Sequence, residues 1–385
     1  MTVNRIEQAA VEFANFLGGR GLIYEPHVQA DLLASILGSQ FVLFAGPSGT
    51  GKSTAAAALA EFFSPADRRS TLRVERTWES PSDVTGAFSS FADYFVKKPG
   101  LDSLMAIRRH AGGTAESSTA RTPIIVVEEA NLSPIEGYLN PIVHGLSSPA
   151  VETIPWPLHS VSAGARLSGD TAASAEVPPI LDLGPWVRVL GTINVDHTAI
   201  APARKVSGRA CVVLLEPMEN PSSEDGISAL WEGTTGAGAP APTSSHAILH
   251  DPRTALGAIR NTVQMSQLAA TLDGVVAELR DAVGTNPVSK RDEQRCLLFM
   301  AFFNEVAAYV PGLDLPPADR SRVAAENALL HFVLPGLAPE DFARTIEHFF
   351  NPGVPSLLRT RCSRLGSSDA DTALGYSIDF WAALS

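Results

Sequence analysis

Apolar positions recur along this chain with two different periods. Residues 5–17 carry Ile6, Ala10, Phe13 and Leu17 at helical spacing, and Gly18-Gly19 ends the pattern. Residues 28–37 repeat it with Val28, Leu32 and Ile36, stopped by Gly38. The next segment changes character. Phe41-Val42-Leu43-Phe44-Ala45 is a short continuous apolar run, which predicts a strand buried on both faces, as in a parallel sheet. Four more such runs follow: Thr71–Val74, Ile124–Val127, Val187–Leu190 and Cys211–Leu215. The stretches between them are long enough for crossover helices. Strands alternating with helical stretches predict an α/β fold with a mainly parallel sheet. No internal repeat is visible.

The pattern shifts again after Glu216. Thr234 to Ser245 is built from Thr, Gly, Ala, Pro and Ser, the composition of a flexible connector. Beyond residue 254 the strand runs disappear and helical patterns take over, the clearest from Ser289 to Val310. Ser289 with Asp292 resembles a capping box, and Cys296, Phe299, Phe303, Val306 and Val310 form one apolar stripe. The expected organisation is an N-terminal helical segment (1–40), an α/β domain (41–220), a flexible connector (221–255) and an all-helical domain (256–385).

Composition narrows the function classes. The 385 residues predict between two and three domains at roughly 150 each. Hydrophobic residues are 45% and charged residues 18%, which argues for a globular chain. With 29 basic and 41 acidic residues the net charge is −12. That disfavours a chain grasping nucleic acid with its whole surface, and leaves a local basic pore or a partner that does the reading. Cys211, Cys296 and Cys362 are far apart, with no C-x-x-C pair or Cys/His cluster, so neither a disulfide framework nor a zinc site is expected. The first residues lack the apolar stretch of a signal peptide. The longest apolar candidate for a membrane span, Cys296–Val310, is broken by Asn304 and Glu305. The expectation is a soluble cytoplasmic protein with no membrane association.

The sharpest chemical signal is Gly46-Pro47-Ser48-Gly49-Thr50-Gly51-Lys52-Ser53, followed by Thr54. It follows the first strand directly and leads into an Ala-rich helix, the strand–loop–helix context that G-x-x-x-x-G-K-[ST] requires. The glycines let backbone N–H groups turn inward around a polyphosphate, and the helix N-terminus adds its positive dipole end. Lys52 can reach the β- and γ-phosphates, and the Ser53 hydroxyl can ligand Mg²⁺. A nucleoside triphosphate and Mg²⁺ are therefore the expected ligands.

A second strand, Ile124–Val127, ends in Glu128-Glu129. A P-loop enzyme needs one acid for the metal shell and one to orient and deprotonate the attacking water. We assign Glu128 to the metal and Glu129 to the water. A third strand leads into Gly191-Thr192-Ile193-Asn194. Asn194 either hydrogen-bonds the γ-phosphate or the water, or closes a turn.

These motifs together resemble the McrB-like branch of the AAA+ ATPases. The resemblance rests on the P-loop, on Glu128-Glu129-Ala130-Asn131-Leu132-Ser133, on Gly191-Thr192-Ile193-Asn194-Val195-Asp196 and on Trp78 to Gly86. Leu329 to Leu337 and the ending Gly375 to Trp381 extend it. It implies a P-loop AAA+ three-layer domain followed by a helical lid, assembled as a hexameric ring. It implies an ATP hydrolase in which Arg209 acts in trans, with Arg204 as second choice, and in which Arg291 is a lid arginine facing the nucleotide. Either arginine is otherwise a surface residue. It also implies bacterial anti-phage defence, with a separate nuclease or DNA-reading subunit as partner and DNA contacted indirectly or through the ring pore. Only about 40 residues precede the P-loop, so the DNA reader is expected on another chain. The chain departs from the family in having Glu128 where Asp is usual, and Asp196-His197-Thr198 where the family has Asp-Glu-Thr.

Other features leave two readings each. Lys97-Lys98 and Arg108-Arg109-His110 either line a pore or are solvated pairs, and Trp78 is a pore or a core aromatic. The segment 159–184 is compatible with a hairpin before the third strand. Two alternatives to a DNA motor stand beside it: a MoxR-type chaperone that remodels protein, and a nucleotide-bound scaffold with little hydrolysis. GTP in place of ATP is a further alternative.

Overall fold

The computed structural model describes residues 3–91, 93–111, 122–146, 154–160, 165–166, 176–183, 187–194, 202–215, 264–284, 286–337 and 341. The expected connector, Asp196 to Thr198, Cys362 and the ending Gly375 to Trp381 lie outside these residues.

The five apolar runs form one sheet. They are β1 (Phe41–Gly46), β2 (Arg69–Arg73), β5 (Ile124–Glu128), β10 (Arg188–Asn194) and β11 (Cys211–Leu214). Their spatial order is β11-β1-β10-β5-β2, and every neighbouring pair is parallel. β1 is buried along its whole length, as its unbroken apolar run requires. β2 lies at an edge, where only Ser70 and Leu72 are buried and the residues between them face outward. β10 is longer than the apolar run predicts. It continues through Gly191-Thr192-Ile193 and carries Asn194 as its last residue.

Helix α1 (Val3–Gly18) buries Ile6, Ala10, Phe13 and Leu17, the positions its periodicity selects. Helix α2 (Pro26–Gly38) differs from the amphipathic expectation. All residues from Ala30 to Leu37 are buried, because α2 is packed between the sheet and the helices that follow it. The P-loop helix α3 (Lys52–Phe63) packs against β1, β10 and β5.

Beyond β2 come α4 (Pro81–Thr85), the antiparallel hairpin of β3 (Gly86–Ser89) and β4 (Tyr94–Lys97), and α5 (Pro99–Ala111), which packs on β2. After β5 come α6 (Ile135–Tyr138) and α7 (Asn140–Gly145). Between α7 and β10 lie β6 (Pro155–Pro157), β7 (Ala165–Arg166), β8 (Glu176–Val177) and β9 (Ile180–Asp182). They pair antiparallel, β6 with β9 and β7 with β8, so a hairpin does precede β10. The short α8 (Arg204–Ser207) leads into β11.

Three helices close the described chain: α9 (Gln264–Val283), α10 (Lys290–Ala307) and α11 (Pro317–Phe332). Ser289 caps α10, its Oγ accepting from the Asp292 N–H at 3.2 Å. The stripe Cys296, Phe299, Phe303, Val306 is buried, against α11, α2 and α1. α11 also packs on β11. The N-terminal helices and α10–α11 thus share one packed core with the sheet.

Candidate nucleotide site

The site is assembled at the C-terminal ends of three adjacent strands. β1 delivers the glycine loop. Gly46 has φ +155°, and a Cβ there would stand 2.4 Å from the Leu215 carbonyl oxygen, so only glycine fits. Gly51 has φ +80° and serves as the N-cap of α3. The first N–H groups of α3, at Lys52, Ser53 and Thr54, have no partner within the helix and converge on the loop. Ser48, Gly49, Ser53 and Thr54 are exposed at its mouth, with Pro47 and Thr50 half-buried. Thr50 Oγ1 donates to the Pro47 carbonyl at 3.0 Å, and the Tyr24 hydroxyl donates to Gly51 O at 3.2 Å. Burial pushes the Tyr24 phenol up to about 12, so it stays a donor.

Lys52 is buried, with Nζ donating to Gly46 O at 2.9 Å and Pro47 O at 2.6 Å. Its ammonium therefore sits on the loop carbonyls. A polyphosphate in the loop meets that charge by drawing it a few ångströms off two neutral acceptors. The phosphate adds the Coulomb attraction of an opposite full charge, which two neutral carbonyls do not supply, so the exchange is favourable.

Asn194 ends β10 opposite Gly46 of β1. On the other side, Gly191 of β10 pairs with Val127 of β5, which brings the Glu128-Glu129 turn beside Asn194. The glycine loop and the acidic turn are thus two strand spacings apart, roughly 10 Å, with Asn194 between them. Glu129 is exposed and sits in the left-handed region, φ 54° and ψ 46°. That conformation is uncommon for a residue with a Cβ and persists where its surroundings hold it. Here five hydrogen bonds do so. The Glu129 N–H donates to Thr192 Oγ1 at 3.0 Å. The buried Asn131 side chain donates to Asn194 O at 2.7 Å and accepts from Asn194 N–H at 3.0 Å. The Tyr138 hydroxyl donates to Ala130 O at 2.7 Å, and Ser133 Oγ to Arg76 O at 3.0 Å. No local pattern in the sequence points to a role for Asn131 or Thr192. Asn131 stands inside the recognised run, but its partner is 63 positions away. Trp78 is buried edge-on to Tyr138, ring centroids 5.5 Å apart, behind this turn.

Glu128 is half-buried and its Oε2 accepts from Arg73 Nε at 2.9 Å, across the β2–β5 pair. Serine hydroxyl and carboxylate are hard oxygen donors suited to Mg²⁺, so Ser53 and Glu128 fit that ion chemically. Glu128 would exchange its Arg73 contact to serve it.

Arg209 and Arg291 lie elsewhere. Val42 of β1 pairs with Cys211 of β11, so Arg209 stands before the N-terminal end of the sheet. It is six residues of strand below Gly46, roughly 20 Å, beyond the reach of its side chain to its own loop. Arg209 Nη1 donates to Lys205 O at 2.6 Å. Arg291, expected either as a lid arginine facing the nucleotide or as a surface residue, is on the exposed first turn of α10 at this same far end. Its charge reaches Arg209, and burial followed by that like charge holds the Arg209 guanidinium below its ordinary value. The reason is the docking of α10: Arg295, one turn on, binds the carbonyls of Gly208 and Ala210. Arg204 Nη2 donates to Leu337 O at 3.3 Å.

No helix among the described residues is long and apolar enough to cross a membrane. No protein-family model matches the chain, and no curated protein matches it. Among solved structures it is similar to a full-length MCM homologue from Methanopyrus kandleri, at 12% identity and a TM-score of 0.43. The match covers 86% of this chain and 60% of that one, so this chain spans less than two thirds of that protein's length.

Proposed function

We propose that this chain is an AAA+ nucleotide hydrolase that splits ATP at the γ-phosphate and works as a ring. The observation that carries this reading is the row Gly46–Asn194–Glu129: a glycine cradle, a polar strand end and an exposed carboxylate on three adjacent strands. In that row Lys52 and the first N–H groups of α3 hold the β- and γ-phosphates. Glu129 orients a water for in-line attack on the γ-phosphorus and takes its proton. Asn194 donates from its amide to the γ-oxygens or to that water. Ser53 and Glu128 would hold Mg²⁺, which when bound neutralises charge developing on the β- and γ-oxygens. Arg209 and Arg291, remote from their own cradle, act on the nucleotide of the neighbouring protomer.

Phosphate release by the pure chain with Mg²⁺ tests this, run with ATP and with GTP. Turnover with ATP supports the reading. No turnover with either nucleotide, despite tight binding, favours the scaffold reading, for which the Arg73–Glu128 ion pair is the specific observation: it competes for the carboxylate that the metal needs.

The work coupled to hydrolysis is proposed as remodelling or translocation of DNA with a partner nuclease in defence against foreign genomes, with the McrB-like motifs as support. The net charge of −12 puts DNA contact on a partner or in a pore. DNA that stimulates phosphate release only in the presence of a co-purifying nuclease is the expected result.

A further inference from the structure

We propose that Arg295 is the positioning residue for Arg209: its guanidinium grips the carbonyls of Gly208 and Ala210 and thereby holds the segment from which Arg209, now resting on Lys205 O, would reach the neighbouring protomer. This rests on the reading of Arg209 as a residue serving a neighbour's nucleotide.

Arg295 leaves α10 and turns toward the segment before β11. Nη1 donates to Gly208 O at 2.9 Å and Nη2 to Ala210 O at 2.6 Å, so one planar fork spans residue 209 from both sides. Gly208 O belongs to the peptide before Arg209 and Ala210 O to the peptide one residue further on, so the fork pins the short segment at both ends with Arg209 between them. The fork is itself held. Its guanidinium carbon lies 4.4 Å from the centroid of the Phe332 ring. Asp292 Oδ1 accepts from Nη1 at 3.4 Å, and Asp292 Oδ2 accepts from the capping Ser289 Oγ at 2.6 Å. The side chain is only 16% exposed. A buried arginine is expensive unless its donors are used, and here they are used on the backbone around Arg209 rather than on a second carboxylate. The arrangement also places α10, which carries Arg291, and the Arg209 segment in one rigid unit. A shift of α10 then moves both arginines together.

Lysine at 295 keeps the charge but is a point donor that cannot hold two carbonyls in a fork. Arg295→Lys is therefore the informative variant, with Arg295→Met as the stronger one. In the full chain, Arg295→Lys should slow phosphate release about 10- to 100-fold, the scale of a misplaced catalytic group. Fluorescent-nucleotide affinity should be unchanged, because the variant's own cradle is intact. Arg209→Ala/Arg295→Lys should be no slower than Arg209→Ala alone, since both changes remove one function. Mixing Arg295→Lys with Glu129→Gln protomers should restore turnover, at interfaces where the intact Arg209 of one serves the intact cradle of the other. A merely structural role for Arg295 predicts neither of the last two results.

Wild-type turnover of Arg295→Lys beside a slow Arg209→Ala overturns this proposal alone. So does a multiplicative loss in the double variant, or absence of recovery in rings shown to be mixed. Wild-type turnover of Arg209→Ala overturns the trans reading itself, and this proposal with it.

Discussion

Lys52 is the one point charge inside the glycine loop, and its ammonium already rests on the loop carbonyls. Lys52→Ala should abolish binding of both ATP and GTP, followed by fluorescent-nucleotide titration. Unchanged affinity for both removes the P-loop assignment. Asn131 acts one step further back. Its carboxamide makes two hydrogen bonds to the backbone of Asn194, from a turn whose N–H at Glu129 is fixed by Thr192. Asn131→Asp keeps the acceptor and loses the donor to Asn194 O. It should slow hydrolysis roughly 10- to 100-fold, as a misplaced catalytic group does, with nucleotide affinity within a few-fold of wild type. A parallel loss of affinity and rate would instead mean general damage to the cradle. At this scale the sequence was most legible where chemistry demands a compact motif. Lys52, Ser53, Glu129 and Asn194 stand in short runs whose residue types have few other uses. Asn131, Thr192 and Arg295 were not legible in role, because each works through a partner far along the chain, 85 positions in the case of Arg295 and Ala210.

Among the elements, α2 is the least expected. Its Asp31 is buried beneath α11, where Oδ1 faces Asn327 Nδ2 at 3.2 Å and His331 Nε2 at 3.1 Å. His331 Nδ1 faces Val212 O of β11 at 2.7 Å and, with that carbonyl able only to accept, carries a proton there. One imidazole thus ties α2, α11 and the edge strand of the sheet together. His331→Ala should lower stability by about 3 kcal/mol, within the range for stripping one partner from a buried carboxylate. Urea unfolding would show a lowered midpoint at unchanged slope. A change below about 1 kcal/mol, the net worth of an ordinary hydrogen bond, would show the tie to be dispensable. Strand positions were legible because doubly covered strands must be apolar throughout. The full burial of α2 was not, since its outward face is covered by α10, some 260 residues later, and no local period reports that.

For the whole molecule, strand order matters most and is invisible in the pattern. β10 follows β5 in the chain by about 60 residues yet lies between β5 and β1, which is what puts Asn194 between cradle and acid. The same parallel register sends Arg209 to the opposite end of the sheet, about 20 Å from its own loop. Arg209→Ala should therefore spare nucleotide affinity while lowering hydrolysis, by on the order of 10³–10⁵-fold if it acts as a finger. The rate should also depend steeply on protein concentration in the wild type, because on the proposed trans role of Arg209 a lone protomer would lack the second half of each site. Concentration-independent turnover per chain, down to where light scattering shows monomers, would contradict assembly as a requirement.

As proposed, the cradle and the exposed Glu129 form one hydrolytic site. The most direct measurement is phosphate release by Glu129→Gln at saturating ATP and Mg²⁺, with nucleotide affinity measured on the same sample. Glutamine keeps the shape and the left-handed turn but cannot accept the proton of the attacking water. Unchanged or tighter ATP binding is expected, with turnover lowered roughly 10²–10⁴-fold, the usual worth of a positioned general base. Wild-type turnover in Glu129→Gln would contradict it, and would move the water to another carboxylate.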